Sequence, residues 1–160
     1  MFKKTNRQSH ETGLINSCTQ ENNILWSNFE QGSNDDRLDH FIHRDGEVFA
    51  GSHLIIDLWG ASQLDDLEHM ESAMRLAVEQ SKATLLHIHL HHFSPNGGIS
   101  GVAVLAESHI SVHTWPENNY AAFDVFMCGD AKPEEAVRVF NEFFSPDNHQ
   151  VKNIKRGRVK

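Results

Sequence analysis

Very short connections separate the apolar segments that follow residue 84, and this spacing leaves few folds open to the chain. The turn Ser94–Gly98 contains proline and paired glycines, which accept the backbone angles of a chain reversal. Strands joined this closely pair as antiparallel neighbours, because parallel pairing needs a long crossover connection. The segments whose alternation predicts strands are Val48–Gly60, Thr84–Phe93, Ile99–Glu107, Ser108–Trp115 and Tyr120–Gly129.

Helical spacing of apolar residues interrupts these strands once and follows them once. The first predicted helix lies within Ser62–Ala83, with Ser62 and Asp65 as its starting signal. The second begins at Pro133, where proline suits a first helical position and two glutamates favour the positive helix end. A final strand is predicted at His149–Ile154, before a basic tail. The expected fold is α+β, a two-layer sandwich of an antiparallel sheet with helices packed on one face.

Polar residues dominate the first 47 positions, whereas the rest of the 160-residue chain carries the apolar pattern. We therefore predict a flexible N-terminal extension over residues 1–47 and one folded domain over residues 48–160. Trp26 and Phe29 are the candidates for anchoring the extension to this domain.

Charge, apolar runs and cysteine content exclude several classes of partner. The formal net charge of −8 gives no reason to expect nucleic acid or an anionic membrane surface, and it favours a small cationic ligand. No apolar run approaches the roughly 18 residues that a membrane helix needs. The two cysteines, Cys18 and Cys128, are too few and too distant for a disulfide framework. We therefore expect a cytoplasmic protein.

One candidate site is the strand HIHLHH, which places His87, His89 and His91 on one face. Imidazole is a common metal ligand, so a metal site is conceivable. Three ligands in a row along a flat strand do not converge well on a tetrahedral ion. We therefore favour histidines on a partly exposed sheet face and expect no metal.

Two further candidates lie near the strand ends. The stretch Glu107–His109 suggests a Ser-His-acid hydrolase, but the turn that exposes a nucleophilic serine is missing, and neighbouring side chains on a strand point apart. Cys128 could be a small buried hydrophobe or could face a pocket, and the residues alone leave both interpretations open. Aromatic residues such as Phe93 and Trp115 belong to the core by default, although one or two could flank a flat or cationic ligand.

The segment Phe93–Asp130 closely resembles the small prokaryotic S-adenosylmethionine decarboxylase proenzymes. The matching pieces are FSPNGGISG, ESHISVHTWPE, YAAFDVF and CG, the first of them longer by one residue because NGG replaces a single glycine. The resemblance covers about Val48–Arg158, and the N-terminal extension departs from the family pattern.

This resemblance implies that the chain cleaves itself between Glu107 and Ser108. The Ser108 hydroxyl would attack the Glu107 carbonyl, and β-elimination from the resulting ester would lead through dehydroalanine to a pyruvoyl group and ammonia. The products would be a β chain of residues 1–107 and an α chain of residues 108–160. The pyruvoyl ketone would form a Schiff base with the substrate amine and act as the electron sink that pyridoxal phosphate supplies elsewhere, without a metal.

The same resemblance implies roles for other residues. His113 matches the processing base that removes the α-proton of Ser108, and Ser100 matches a serine that assists processing. Cys128 matches the donor that returns a proton to the substrate. By residue type alone, the candidate substrate-binding residues, which would contact adenine, the sulfonium or hydroxyl groups, are Phe93, Trp115 and Glu117.

The implied function is decarboxylation of S-adenosylmethionine, giving the aminopropyl donor for spermidine synthesis, by a homodimer of cleaved chains. A pyruvoyl-dependent arginine or ornithine decarboxylase on the same scaffold is an alternative, because Ser108, His113 and Cys128 would serve either substrate. A non-catalytic, His-rich metal-binding protein is a more remote alternative, and it predicts an uncleaved chain with bound metal.

Overall fold

The computed structural model describes residues 40–159, so the predictions made for residues 1–39 lie outside the described part of the chain. The elements in chain order are β1 (Ile42–Arg44), β2 (Glu47–Trp59), α1 (Leu67–Gln80), β3 (Leu85–His92), β4 (Ile99–Leu105), β5 (Ser108–Trp115), a 3-10 turn (Pro116–Asn118), β6 (Tyr120–Met127), α2 (Pro133–Phe144) and β7 (Asn148–Val159).

The strands form one seven-stranded antiparallel sheet in the order β1-β2-β6-β5-β4-β3, with β7 paired to β2. Strand β2 is 13 residues long. It pairs with β1 at its start, with β6 from Ser52 to Trp59, and with β7 from Val48 to Trp59. Because β6 and β7 use the same residues of β2, they lie on its two opposite edges. The predicted α+β sandwich with an antiparallel sheet is confirmed.

Strand β1 places the start of the sheet inside the segment predicted to be a flexible extension. It forms a hairpin with β2 through Asp45 and Gly46, whose φ angles of 54° and 77° are both positive. Two central residues of this kind make the tight turn that matches the twist of a β-hairpin, and Asp-Gly is a preferred sequence for it. The sheet therefore begins at Ile42 rather than at Val48.

Two predicted boundaries are wrong. Helix α1 starts at Leu67, where the Asp66 carboxylate caps it by accepting from the His69 N–H at 2.9 Å. Ser62 does not start this helix, because its N–H and its hydroxyl both donate to the Phe144 carbonyl at the end of α2. The basic tail expected after Ile154 is strand instead, because β7 stays paired with β2 as far as Val159.

The hydrophobic core lies between the two helices and one face of the sheet. Alternate residues of β6 are buried, and among them Phe123 stacks on Phe140 of α2 with ring centroids 4.0 Å apart. Phe144 packs beside both rings. Neither helix within residues 40–159 is long and apolar enough to cross a membrane.

Phe140→Ala tests this core. We expect the substitution to lower the free energy of unfolding by about 3–5 kcal/mol, because it leaves a cavity against Phe123 and Phe144. Urea denaturation followed by circular dichroism measures the loss. Glu142→Ala, on the exposed face of the same helix, is the matched control and should have a much smaller effect. Equal losses for the two variants would contradict the packing described here.

Candidate active site

One cluster of functional groups surrounds the turn between β4 and β5. Leu105 pairs with Ser108, so Ala106 and Glu107 form a two-residue turn. Glu107 adopts φ 64°, in the left-handed region. A side chain with a Cβ is strained there by about 1–3 kcal/mol. The strained residue is the one that directly precedes Ser108.

Ser108 and Cys128 are neighbours because β5 and β6 run antiparallel. The Cys128 N–H donates to Ser108 Oγ at 3.3 Å. The Cys128 thiol is free and half-buried, and burial raises its pKa, with a further rise from the negative charge of Glu107. Because the pKa lies above its ordinary value, the thiol is protonated at neutral pH and can act as a proton donor.

A second cluster lies at the other end of β4 and β5. Ser100 of β4 is directly opposite His113 of β5, and Ser100 Oγ lies 2.8 Å from His113 Nδ1. The pair opens onto a cleft of about 230 Å³. The residues that line the cleft are Phe93, Asn96, Gly98, Ser100, His113, Thr114, Trp115 and Glu117. The structure thus brings Ser100 and His113 together with all three predicted substrate-binding residues.

Buried hydrogen bonds hold the floor of this cleft. The Thr114 hydroxyl accepts from the Ile99 N–H at 2.7 Å and donates to the Leu64 carbonyl at 2.9 Å. It therefore ties β5 both to β4 and to the loop before α1. Gly98 has no side chain where the chain turns into β4, and a Cβ there would lie 2.9 Å from the Thr114 carbonyl oxygen. The sequence pattern did not mark Thr114 for this role.

The two clusters are far apart within one chain. Ser108 and His113 are five residues apart on one strand, which corresponds to about 17 Å at roughly 3.4 Å per residue. An odd separation along a strand also places two side chains on opposite faces of the sheet. One chain therefore cannot bring His113 to the α-carbon of Ser108 while β5 stays paired. Sequence reasoning assigned both residues to one process and did not predict this separation.

An aromatic row extends from the cleft across the face of the sheet that the helices leave uncovered. Trp115 lies next to Tyr120, with ring centroids 5.3 Å apart, and Tyr120 lies next to Trp59 at 5.9 Å. The Tyr120 hydroxyl donates to the Asp57 carboxylate at 2.5 Å. Burial and this hydrogen bond raise the pKa of Tyr120 to about 12. Asp57 thereby holds Tyr120 against Trp115, a role that sequence reasoning missed.

The histidine-rich strand lies apart from both clusters except at its end. His87, His89 and His91 are exposed on β3, the edge strand of the sheet. The His91 ring contacts Phe93 at the rim of the cleft, with centroids 4.5 Å apart. Within residues 40–159, no group of three or more His, Cys, Asp or Glu side chains is arranged to hold a metal ion.

The chain matches the family model for S-adenosylmethionine decarboxylase over residues 52–157, about two thirds of its length. It belongs to this family.

Similar proteins include named proenzymes and one solved structure. A protein of Thermomicrobium roseum named S-adenosylmethionine decarboxylase proenzyme is 44% identical over 110 residues, 68% of this chain and 95% of the relative. A protein of the same name from Methanococcus vannielii is 49% identical over 112 residues, 68% of this chain and 91% of the relative. The crystal structure of the adenosylmethionine decarboxylase from Aquifex aeolicus has 32% identity and a TM-score of 0.62, covering 70% of this chain and 94% of that one.

Tyr120 provides a direct test of the aromatic row, because it is the only tyrosine in the chain. We expect its ionisation at about pH 12 instead of near its ordinary value of 10. Absorbance at 295 nm after a rapid pH jump measures this before the chain unfolds. Asp57→Asn should move the pKa back toward 10, since it removes the negative charge that opposes ionisation. An unchanged pKa in that variant would contradict the contact.

Proposed function

We propose that this chain is a self-processing, pyruvoyl-dependent decarboxylase of S-adenosylmethionine that supplies the aminopropyl donor for spermidine synthesis. The observation that carries the proposal is the turn that ends at the Glu107–Ser108 bond. There, a strained Glu107 precedes a serine whose hydroxyl lies beside the amide of Cys128, in a chain that belongs to this family.

Self-cleavage begins at that turn. Ser108 Oγ attacks the Glu107 carbonyl carbon, and the amide bond is exchanged for an ester. The ester still joins the two residues, so the left-handed backbone of Glu107 is freed from its constraint only when the next step cuts the chain, and part of the strain energy then favours completion of cleavage. Loss of the Ser108 α-proton then expels the Glu107 carboxylate, and hydrolysis of the dehydroalanine gives ammonia and a pyruvoyl group on the chain 108–160.

His113 is the base for the α-proton. When His113 Nδ1–H donates to Ser100 Oγ, the lone pair of Nε2 is free to take a proton. An imidazole suits this step because its ordinary pKa lies near neutral pH. Ser100 holds the ring in position, and its hydroxyl can also donate to the oxyanion that forms during attack.

The surroundings of position 108 fit a pyruvoyl group. The Cys128 N–H that donates to Ser108 Oγ is available to a carbonyl oxygen at the same residue. When formed, that group supplies an electron sink for loss of carbon dioxide from an amino acid. The protonated thiol of Cys128, beside the same residue, donates the proton that replaces the lost carboxylate.

The cleft around His113 is suited to the rest of the substrate. Phe93 and Trp115 are 48% and 41% exposed, so their ring faces are open to a flat or cationic group. Glu117 lines the same cleft and can accept hydrogen bonds from hydroxyl groups or attract a sulfonium. A cleft of about 230 Å³ is smaller than the roughly 300–1,000 Å³ of most small-molecule sites. It therefore needs a further wall.

A second copy of the chain provides that wall. Ser108 and His113 are too far apart within one chain, but residues from two chains can meet. This happens if a two-fold axis sets the Ser108–Cys128 end of one chain against the Ser100–His113 end of its partner. Two equivalent sites then form, each with its pyruvoyl residue and proton donor from one chain and its base and binding cleft from the other. We propose this homodimer as the working enzyme, in the cytoplasm, where the free thiol of Cys128 stays reduced.

Intact mass and carbon dioxide release test the function together. The wild-type chain should separate into fragments 1–107 and 108–160, the second blocked at its N-terminus, and should release carbon dioxide from carboxyl-labelled S-adenosylmethionine. Ser108→Ala should remain one chain without activity, because the attacking hydroxyl is gone. Release from labelled arginine or ornithine alone would favour the alternative decarboxylases. An uncleaved wild-type chain would contradict the proposal.

Mixed dimers test whether the site is shared between chains. Ser108→Ala and His113→Ala chains should each stay uncleaved when made alone. In dimers assembled from both, one site combines an intact Ser108 from the His113→Ala chain with an intact His113 from the other. We expect only the His113→Ala chains to be cleaved, as seen by mass spectrometry. Absence of cleavage in the mixture would rule out sharing of the site between the two chains.

A further inference from the structure

A residue that precedes the family match lies against the turn at Ala106 and Glu107. The match begins at residue 52, whereas His40 stands just before β1. The β1 hairpin is fixed by its Asp45–Gly46 turn and by Ile42, which is only 7% exposed. His40 is therefore held in place by an element that lies before the residues matched by the family model.

His40 contacts two segments of the candidate active site at once. Its carbonyl accepts from the Gly129 N–H at 3.0 Å, directly after Cys128. Its ring nitrogen Nδ1 lies 2.9 Å from Glu107 Oε2. One residue thus joins the turn that carries the scissile bond to the loop that carries the thiol.

From these contacts we infer that His40 is a positioning residue for self-cleavage, acting through the side chain of Glu107. The inference rests on the self-cleavage proposed above. Glu107 occupies a left-handed conformation that an exposed glutamate does not favour by itself. A hydrogen bond from His40 to its carboxylate holds this conformation and keeps the Glu107 carbonyl in reach of Ser108 Oγ.

Charge gives a second reason for the same role. Attack on the Glu107 carbonyl develops negative charge on its oxygen, and the later elimination releases the main-chain carboxylate of the same residue as an anion. The Glu107 side-chain carboxylate is close enough to oppose both events. His40 Nδ1–H donates to that carboxylate and offsets part of its negative charge. A side chain without a hydrogen-bond donor at position 40 would leave this charge unopposed.

Cleavage kinetics of the full-length chain test the inference. The chain is made by cell-free synthesis, and the fragment 108–160 is quantified against time. We expect His40→Ala to slow cleavage about fivefold, the upper range for a partly exposed hydrogen-bonded pair. His40→Asn, whose side-chain N–H₂ can reach the place of Nδ1, should restore most of the rate. His43→Ala, an exposed histidine on β1, is the matched control and should cleave at the wild-type rate.

A double substitution separates this role from general support of the fold. In a Glu107→Ala chain, adding His40→Ala should have no further effect on the rate, because no carboxylate remains to be held. Equal slowing in both backgrounds would show that His40 acts through another contact and would overturn the inference. If the wild-type chain cleaves itself and the His40→Ala chain does so at the same rate, only this inference is overturned. Failure of the wild-type chain to cleave would overturn the proposed function with it.

Discussion

The antiparallel register of β4, β5 and β6 sets the geometry of both clusters of candidate functional groups. It sets Ser100 opposite His113 at one end of the ladder and brings Ser108 beside Cys128 at the other. A slip of one residue would turn each of these side chains to the opposite face. Buried alternate residues of β5, among them Ile110 and Val112, prevent such a slip because the slip would expose them.

Much of the fold could be predicted from the sequence where local signals and tertiary packing agree. Helix α2 begins at the predicted residue, since Pro133 favours its first turn and its apolar residues face the sheet. Ser62 was misread as a helix start because its hydrogen-bond partner lies in α2, 82 residues away along the chain. The β1 hairpin was missed although Asp45-Gly46 is a turn signal, because a three-residue strand shows too little alternation to be recognised.

The residues of the candidate site were easier to predict than their arrangement. A motif read along the chain places Ser108 and His113 five positions apart and suggests that they are close. Extended backbone makes the same interval long, so the separation follows from the strand assignment alone once the rise per residue is considered. Thr114, Asp57 and His40 could not be identified in this way, because each makes its contact with a partner on a distant segment.

The position of the 107–108 link within the sheet has a consequence for connectivity. Strands β4 and β5 pair with each other, and each also pairs with another neighbour, β3 or β6. A nick at the 107–108 link removes one covalent connection and leaves the pairs from Ser100–His113 to Val104–His109 in place, so both fragments stay in a common sheet. The same layout would allow the fold to be reassembled from two separately made polypeptides that are divided between residues 107 and 108, because strand pairing rather than the backbone holds β4 and β5 together there.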